Sequence, residues 1–546
     1  MLFKLQNENE RPSQVNKFIA TNLAFEDREI LRGLKFKFDE TLRSWWTDDW
    51  LKVAQAEAIH SPVKAQKIKE ALALVASETC FDPAFDAFCE YDINFSKLLP
   101  YQRAGVSYIL KEKNVILADE PGLGKTMQAI ATMNYAAMHD KEFFETEKTP
   151  RAVVVCPSSI KDNWLKELDF FQENFWEVVI VNSGKQQFVD GLLKSKKRNT
   201  LIIVNYEYLK NRIVSDQLKR FSPNFLVLDE AHYIKNPKSK RYKCIAHELI
   251  PNWKELQMKI LLTGTPIQNR PIEIRSLMLI SKPDVLEPYR EFRRFAFKYC
   301  DGRMGKWGFE ASGSSNEEEL GLRLALGGAI IRRKKENVLP QLPDKTMTML
   351  VFEGNTDAKR VIKKYDVQFD FEAIIKKPEF WQKNPNEHIA TARRELAIAK
   401  LPDSIEAIKE LLESVDKVVV FAWHTDIIDA LEKALSEYKP ALIAGRTKSE
   451  TRQAEVDRFQ NDPACRVFIG NILAAGVGIT LTAASHIEFV ESSWVPGEIF
   501  QAVDRCHRIG QKSSVSARFH VVKNSVDEAV IGSLISKNLT IKKILS

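Results

Sequence analysis

The stretch from Asn114 to Met127, NVILADEPGLGKTM, decides how the rest of the chain is organised. Its residues 115–118 are an apolar run that favours a short buried strand, glycines then favour a turn, and Lys125 begins a helix. This order makes a cradle for nucleotide phosphates, because inward-pointing N–H groups and the helix dipole attract anions. In such a cradle the lysine ammonium reaches the β and γ phosphate oxygens and the Thr126 hydroxyl ligates Mg²⁺. We therefore expect four residues here to bind a nucleotide: Gly122, Gly124, Lys125 and Thr126.

One position departs from the usual signature of this cradle. The pattern G-x-x-x-x-G-K-[ST] has glycine where this chain has Asp119. Taken alone, the stretch therefore also fits a glycine-rich turn between a strand and a helix that binds no ligand.

Length and composition describe a globular chain of several domains. The 546 residues predict about three to four domains. No apolar run approaches the roughly 20 residues of a membrane span, and the first residues lack a secretory signal. We therefore expect an intracellular protein without membrane attachment, in the cytoplasm or nucleoid if it is bacterial or viral and in the nucleus if it is eukaryotic.

Cysteine usage and charge narrow the class of protein further. Seven scattered cysteines without a C-x-x-C pair argue against a disulfide framework and against structural zinc. The net charge of +7 and the pI of 8.8 suit a polyanionic partner, but a solvated basic surface explains them equally well.

From Leu98 onward, predicted strands alternate with helices, and the strands end in polar residues. After the cradle, the apolar runs 152–156, 201–204, 225–228 and 260–262 predict four strands. In open parallel sheets, ligands bind at the carboxyl ends of the strands. The polar residues at these ends are Ser158, Ser159, Asn205, Asp229, Glu230, His232, Thr263 and Thr265. Ahead of the cradle, the Gln102 amide can form a two-pronged hydrogen-bond pair with an adenine edge.

Asp229 and Glu230 supply the second half of the expected chemistry. A carboxylate at the end of a strand beside the cradle can hold Mg²⁺ through water, so we assign Asp229 to the metal together with Thr126. The neighbouring Glu230 can act as the general base on the attacking water. Two adjacent acidic residues can instead be a helix-capping pair.

A second α/β region follows an interruption at residues 281–400. The interruption contains a glycine- and serine-rich loop and the basic run from Ile331 to Lys335, which we expect to be a solvated surface. A predicted helix over 392–412 then opens the second region. It continues with predicted strands at 418–421, 441–443 and 467–469.

The second region carries two further candidate groups. Gly476 and Gly478 lie at a strand-to-helix junction. Arg505 and Arg508 are three residues apart on a predicted helix, so we expect them to share one face. Two such arginines could reach across a cleft to the γ-phosphate and stabilise charge in the transition state. Taken alone, a pair at this spacing is usually found on a protein surface.

The N-terminal region has aromatic and basic residues in alternation. Residues 34–50 predict two short strands joined by a turn at 39–41, followed by a helix over about 49–59. Trp45 and Trp46 in this stretch could stack unpaired bases while neighbouring basic residues neutralise phosphates. The same aromatics could equally form the core of a small module.

The ordered motifs DEPGLGKT, CPSSIKDNW, DEAH, TGTPIQN and QAVDRCHRIGQ resemble the motif set of the Swi/Snf-type DNA translocases within helicase superfamily two. The resemblance covers about residues 98–546, and Asp119 is usual in that family. The segments of 281–400 resemble the HARP-type, or annealing-helicase, branch. The spacing of Phe38, Asp39, Arg43 and Trp45 is similar to the HARP module.

The resemblance implies a fold and an activity. The expected fold class is α/β: two RecA-like lobes, each a parallel sheet flanked by helices, with helical insertions and a small α+β N-terminal module. The implied domains are 1–95, a small module with a HARP-like DNA-binding role; 96–280, the first lobe; 281–400, the insertions and linker; and 401–546, the second lobe with a C-terminal brace helix. The implied activity is that of an ATP-dependent double-stranded DNA translocase that hydrolyses ATP to ADP and phosphate and remodels or reanneals forked DNA in replication or repair.

The resemblance also implies cofactors, a partner and roles for single residues. The implied cofactors are ATP and Mg²⁺, and the implied partner is duplex or forked DNA, bound by a monomer of this protein. Catalysis is assigned to Lys125, Asp229, Glu230, Arg505 and Arg508. Nucleotide binding adds Gln102, Asp119, Gly122, Gly124, Thr126, His232, Gly476 and Gly478. DNA binding is assigned to Ser158, Ser159, Asn205, Thr447, Thr480, Trp45 and Trp46, and coupling between the two to Thr263, Thr265 and Gln501. A strand-separating DNA or RNA helicase and a nucleotide-gated DNA clamp with little turnover remain alternatives.

Overall fold

The computed structural model describes most of the chain from residue 82 onward and four N-terminal strands. The described residues are 2–6, 17–21, 37–39, 44–47, 82–139, 149–185, 187–189, 199–305, 308–311, 313–339, 341–366, 387–447, 449–475 and 479–545. They form two compact units. The first contains the described residues up to 120, 124–334 and 541–545, and the second contains 121–123 and 335–540.

The N-terminal strands form an antiparallel sheet in the order β1, β2, β4, β3. The strands are β1 Leu2–Gln6, β2 Lys17–Thr21, β3 Lys37–Asp39 and β4 Ser44–Thr47. The two strands predicted from the alternation are confirmed, and Phe38 of β3 pairs with Trp45 of β4. The first two strands were not predicted. The helix predicted over about 49–59 lies outside the described residues, as does most of the turn between β3 and β4.

A seven-stranded parallel sheet is the centre of the first unit, in the order β13, β5, β10, β9, β6, β8, β7. Its strands are β5 Asn114–Leu117, β6 Arg151–Cys156, β7 Glu177–Ile180, β8 Thr200–Asn205, β9 Phe225–Asp229, β10 Met258–Leu262 and β13 Ile330–Ile331. All six residues of β8 and all five of β9 are buried, as expected for parallel strands covered on both faces. Each fully buried valine, leucine or isoleucine stabilises such a core by about 1.5–3 kcal/mol.

Helices cover this sheet, and several begin where the sequence supplies a start signal. They are α1 Pro83–Tyr91, α2 Pro100–Glu112, α3 Lys125–His139, α4 Lys161–Gln172, α5 Arg212–Phe221, α6 Lys240–Lys243, α7 Ile272–Ser281, α8 Phe292–Tyr299 and α9 Glu317–Leu326. Pro83 and Pro100 occupy the first positions of α1 and α2. At this position a backbone N–H has no partner within the helix, so proline, which has no N–H, fits there without losing a hydrogen bond. The Asn211 side chain caps α5 by accepting bonds from the Ile213 and Val214 N–H groups. A two-stranded antiparallel hairpin, β11 Arg303–Gly305 and β12 Gly308–Glu310, follows α8.

The strand register brings three chain segments to the same level at the carboxyl edge of this sheet. Leu262 of β10 is paired with Leu117 of β5 on one side and with Asp229 of β9 on the other. The Thr263 N–H continues the ladder by donating to the Leu117 carbonyl oxygen at 3.1 Å. The segments that follow these three strands therefore leave the sheet side by side.

The second unit is built on a six-stranded parallel sheet, in the order β14, β19, β18, β15, β17, β16. Its strands are β14 Lys345–Phe352, β15 Val418–Ala422, β16 Ala441–Ile443, β17 Val467–Asn471, β18 His486–Phe489 and β19 Val515–Val522. Its helices are α10 Lys335–Val338, α11 Thr356–Asp366, α12 Glu387–Ser414, α13 Thr425–Ala434, α14 Ser449–Asn461, α15 Ile472–Ala475 and α16 Pro496–Val503. Helix α17, Val526–Leu545, also begins in this unit, but its last residues, 541–545, belong to the first unit.

The predicted fold class is confirmed: both units are parallel sheets flanked by helices. The stretch 281–400 is not only helical, however, because it contributes β13 to the first sheet and β14 to the second. The two units divide it between residues 334 and 335. The domain boundaries at 95, 280 and 400 stay predictions. None of the helices described is long and apolar enough to cross a membrane.

Two central strands of the second unit carry a buried polar network. The Glu488 carboxylate is fully buried and accepts from His520 Nε2 at 2.7 Å and from Arg518 Nε at 2.8 Å. The Lys400 ammonium donates to the His520 carbonyl oxygen at 2.7 Å and to Asp527 at the same distance. Burial lowers the pKa of His520 below its usual range although Glu488 acts against this, so the imidazole is neutral in the folded protein.

We predict that this histidine makes stability depend on pH. In the unfolded chain the imidazole has a pKa of about 6.5. Below that pH the unfolded chain binds a proton that the folded chain does not bind. The free energy of unfolding should therefore fall as the pH drops from about 8 to 5.5. His520→Gln should flatten this slope in thermal unfolding scans. Some slope should remain, because the pKa values of His486 and His507 are also lowered by burial. Equal slopes for His520→Gln and the wild type would contradict the assignment.

Candidate catalytic site

The phosphate cradle follows β5 directly. Gly122 and Gly124 have φ angles of 87° and 71°, a conformation that residues with a side chain rarely adopt. Helix α3 begins at Lys125, so its first N–H groups are available at the turn. The Lys125 ammonium donates to the Asp119 carbonyl oxygen at 2.8 Å, which holds the lysine over its own loop. A methyl group at Gly124 would lie 2.4 Å from Gln102 Nε2, so the Gln102 amide lies directly against the cradle.

The Asp119 carboxylate, expected among the nucleotide-binding groups, is fully buried in an ion pair with Arg333. Arg333 donates to it from Nη2, from Nε at 2.9 Å and from its backbone N–H at 3.0 Å. Gln128 of α3 also donates to Asp119, at 3.1 Å. The side chain of Asp119 therefore fixes the base of the cradle, while its backbone carbonyl contacts Lys125.

The expectation that the basic run from Ile331 to Lys335 is a solvated surface is wrong for two of its residues. Arg333 and Lys335 are each only 2% exposed. Arg333 follows the short strand β13, which places it beside the end of β5. A guanidinium is buried here because it neutralises a carboxylate that is itself buried.

Asp229 ends β9 and is held by two aromatic side chains. Trp164 Nε1 of α4 donates to its Oδ2 at 2.8 Å, and the Tyr206 hydroxyl donates to its backbone carbonyl at the same distance. Burial and the neighbouring Glu230 charge raise the pKa of the Asp229 carboxyl well above its usual range. The Lys125 ammonium acts in the opposite direction, so the lysine of the cradle and the carboxylate of β9 act electrostatically on one another.

Glu230, His232 and Thr263 form a connected polar group next to Asp229. Glu230 has a φ angle of 49°, a left-handed conformation that is strained for a residue with a side chain. His232 Nδ1 lies 3.2 Å from Glu230 Oε2 and 3.3 Å from Thr263 Oγ1. Thr263 Oγ1 also accepts from the Thr265 N–H at 3.2 Å. The structure thus joins the predicted base, the predicted nucleotide-contacting histidine and both predicted coupling threonines.

A metal ion at this edge would find few protein ligands. Across the described part of the chain, no three His, Cys, Asp or Glu side chains form a cluster suited to a metal ion. Thr126 and Asp229 supply one hydroxyl and one carboxylate. This sparse oxygen set fits Mg²⁺, which commonly takes its remaining ligands from water and substrate phosphates.

The predicted DNA-contacting residues of the first unit lie at the ends of β6 and β8. Ser158 is exposed at the start of a short 3₁₀ helix, Ser158–Ile160, and Ser159 lies within that helix. Asn205 is buried, and its Oδ1 accepts from the Tyr208 N–H at 2.9 Å. Asn205 therefore shapes the turn after β8. Trp45 and Trp46 lie on β4, and their assignment to DNA stays a prediction.

The prediction that Arg505 and Arg508 share a helix is wrong, because α16 ends at Val503 and both arginines lie in the turns that follow. They nevertheless converge. Arg505 Nη1 and Arg508 Nη1 donate to the Ile479 carbonyl oxygen at 3.4 and 3.3 Å. Arg508 Nη1 also donates to Thr480 Oγ1 at 2.9 Å.

The other predicted residues of the second unit are positioned as follows. Gln501 lies on α16, and its carbonyl oxygen accepts from Arg505 Nε at 3.2 Å. Thr447 Oγ1 accepts from the Ala444 N–H at 3.0 Å, so this hydroxyl closes the turn after β16. Gly476 and Gly478 lie outside the described residues.

Two family descriptions match the chain in succession. The SNF2-related domain matches residues 101–402, and the helicase conserved C-terminal domain matches 403–510. The chain belongs to the SNF2-related family. The resemblance inferred from the motifs is thereby confirmed, and the use of ATP follows from the family.

The chain is similar to two curated proteins and to one solved structure. A Caenorhabditis elegans homolog of SWI/SNF-related matrix-associated actin-dependent regulator of chromatin subfamily A-like protein 1 is 32% identical over 82% of this chain and 61% of its own length. The human DNA annealing helicase and endonuclease ZRANB3 is 32% identical over 80% of this chain and 39% of its own length. The solved Sulfolobus solfataricus SWI2/SNF2 ATPase core in complex with dsDNA aligns over 82% of this chain and 96% of that one, with 24% identity and a TM-score of 0.38. The chain spans about two fifths to three fifths of the length of these two curated relatives.

Three residues that bind predicted site residues or their neighbours were not predicted from the sequence: Trp164, Arg333 and Lys335. The signal that could have found the two cations is a carboxylate directly after apolar residues: Asp119 follows the apolar run 115–118, and Asp504 follows Ala502 and Val503. A buried carboxylate requires a partner. The sequence does not say which distant cation supplies it.

We predict that Arg333 stabilises the first unit by neutralising Asp119. Arg333→Met leaves a buried carboxylate uncompensated, which should lower the free energy of unfolding by about 3–5 kcal/mol in urea titrations. Adding Asp119→Asn removes the stranded charge and should recover part of the loss. The exposed Arg294→Met is the matched control and should cost less than about 0.5 kcal/mol. If the Arg333→Met protein is as stable as the wild type, the ion pair contributes nothing to the free energy of unfolding.

Proposed function

We propose that this chain is an ATP-dependent double-stranded DNA translocase that hydrolyses ATP to ADP and phosphate and remodels or reanneals forked DNA in replication or repair. The observation that carries the proposal is the arrangement at one sheet edge. The glycine cradle after β5, Thr263 after β10 and Asp229 at the end of β9 leave the sheet on adjacent strands. A phosphate cradle beside a carboxylate pair is the arrangement that phosphoryl transfer requires.

In this proposal each group at the edge has one task. Lys125 holds the β and γ phosphates, and Thr126 with Asp229 holds Mg²⁺, which neutralises charge on the phosphates when bound. Glu230 orients the attacking water and takes its proton. The contact of His232 with both Glu230 and Thr263 supports a link between the base and the segment that follows β10.

Arg505 and Arg508 of the second unit are proposed to stabilise the charge on the transferring phosphoryl group. Their convergence on one carbonyl oxygen supports a common task. The Thr480 hydroxyl, which is proposed to contact DNA, also accepts a hydrogen bond from Arg508 Nη1.

DNA as the partner is supported by the family and by relatives whose names describe DNA annealing helicases. We propose contacts at Ser158, which is exposed, and at Ser159. Asn205 and Thr447 would contribute by shaping their turns. Residues 1–95 are proposed as a DNA-binding module that directs the motor to forks. The chain is proposed to work as an intracellular monomer.

We predict opposite behaviour for two variants of the catalytic edge. Lys125→Ala removes the ammonium that holds the phosphates, so ATP binding and turnover should both be lost. Glu230→Gln keeps the shape of the side chain but cannot take a proton, so ATP should bind, turnover should stop, and the ATP-bound protein should accumulate on DNA. Equilibrium nucleotide binding and phosphate release measure the two effects. Turnover near the wild-type rate in either variant would overturn the assignment.

The choice of nucleic acid separates the proposed function from its alternatives. Duplex and forked DNA should stimulate ATP turnover more than RNA does, and the stimulation should fall steeply with added salt because phosphate contacts release counterions. Turnover should be measured with single-stranded, duplex and forked DNA and with RNA of matched length. Equal stimulation by RNA would favour a strand-separating helicase. Tight DNA binding without turnover would favour a nucleotide-gated clamp.

A further inference from the structure

Lys335 is a buried lysine with a task that catalysis at the first sheet does not explain. It is 2% exposed and begins the short helix α10 of the second unit. Its ammonium donates to Asp504 Oδ1 at 2.7 Å and to the backbone carbonyl oxygen of His507. Burying an ammonium group is costly unless it is paired and hydrogen-bonded, and here both conditions are met.

Asp504 is the centre of this cluster. It is 4% exposed, and the Lys345 ammonium lies 3.4 Å from the same Oδ1 atom that Lys335 contacts. Burial alone would raise the pKa of the Asp504 carboxyl, but the positive charges of Lys345 and Lys335 hold this pKa below its usual range. The carboxylate is therefore charged and bound to a cation on another segment of the chain.

The contacts of Lys335 bracket the turn that carries the two arginines. Asp504 immediately precedes Arg505, and His507 immediately precedes Arg508. The segment after Lys335 makes one more contact with this turn, because His507 Nε2 lies 2.7 Å from the Pro343 carbonyl oxygen. Short backbone bonds, such as that from the Gln511 N–H to the Arg508 carbonyl oxygen at 3.0 Å, close the turn internally.

The turn lacks the regular support that a helix would give. Helix α16 ends at Val503, and beyond it the backbone bonds are mixed: the His507 N–H donates to the Val503 carbonyl oxygen at 3.1 Å, four residues back, but the Arg505 N–H donates to the Ala502 carbonyl oxygen at 3.2 Å, three residues back. No continuous ladder of bonds between residues four apart therefore fixes the conformation of 504–508. An arginine that must meet a developing charge within a few tenths of an ångström needs a rigid base. Lys335 supplies two of the hydrogen bonds that connect the turn 504–508 to another segment of the chain.

We propose that Lys335 is a positioning residue, which binds Asp504 and the His507 carbonyl so that the turn 504–508 presents Arg505 and Arg508 in a fixed orientation. The proposal rests on the proposed function in assigning these arginines to ATP hydrolysis. It adds a residue that acts on the rate through the turn.

The first test is Lys335→Met, which keeps the length and apolar stem of the side chain and removes its charge. The kcat for ATP should fall about a hundredfold, the scale expected for misplacing a catalytic group by about 1 Å. The KM for ATP should change less than about threefold, because Lys125 and helix α3, which are proposed to hold the phosphates, belong to the first unit. The matched control is Lys359→Met in the same unit, where the lysine is exposed, and it should behave as the wild type.

Lys335→Met leaves Asp504 with one cation fewer, so it could lower kcat by destabilising the folded protein. This effect must be separated from a loss of positioning. Lys335→Met combined with Asp504→Asn removes both charges of the pair and should restore thermal stability. If Lys335 acts only on stability, this double variant should recover the wild-type kcat. If it positions the turn, kcat should remain low in a protein of normal stability.

A double-mutant cycle with Arg508→Ala tests whether the effect passes through the arginine. Arg508→Ala alone should lower kcat by at least about a thousandfold, the scale of an arginine finger. Adding Lys335→Met should then cost little more, because the residue it positions is already gone. Independent losses that multiply would overturn the proposal.

Amide hydrogen exchange provides a readout that does not depend on activity. In Lys335→Met the amides of residues 505–511 should exchange faster, whereas those of α3 should not change. Unchanged exchange in the turn, or a folded Lys335→Met protein with normal kcat, would overturn the proposal. A wild-type protein without DNA-stimulated turnover would instead overturn the proposed function, and hydrogen exchange would still decide whether Lys335 holds the turn.

Discussion

In a parallel sheet, the hydrogen-bond register fixes where neighbouring strands end, and the candidate site depends on this constraint. Leu117, Leu262 and Asp229 are paired across three strands, so the segments that follow them must start side by side. The apolar residues of these strands serve the site only indirectly, by burying both faces of the sheet. A shift of one residue in β10 would move Thr263 away from His232 and turn its alternate side chains to the other face.

The second constraint is that buried carboxylates need cations. Asp119, Asp504 and Glu488 are all buried, and each is paired with a residue distant in sequence: Arg333, Lys335 and Arg518 respectively. Pairs of this kind contribute little net stability compared with apolar packing, but breaking one is costly. They tolerate few alternative arrangements, so they hold the segments that carry function in one conformation. Arg333 and Lys335 lie two residues apart, and each serves a carboxylate of its own unit.

Much of the fold could be predicted from the sequence, because the strands that carry motifs are short apolar runs ending in polar residues. Two of the strands that were missed, β14 and β18, have a different character. In β14, threonines alternate with exposed methionines, and β18 contains a buried glutamate that accepts hydrogen bonds from Arg518 and His520 of β19. Such burial depends on contacts between distant residues, which local periodicity does not reveal. The helix predicted through Arg508 ends earlier, at the residue before Asp504, whose carboxylate is bound by a distant lysine.

The bond between Trp164 and Asp229 has an optical consequence. An indole whose N–H donates to a carboxylate experiences the charge of that carboxylate directly, and this indole is fully buried. A cation or a phosphate arriving at Asp229 would change the electric field across the ring and therefore its emission wavelength. Among the ten tryptophans of the chain, Trp164 is thus a natural fluorophore for following events at β9 in real time, with the difference spectrum against Trp164→Phe isolating its signal.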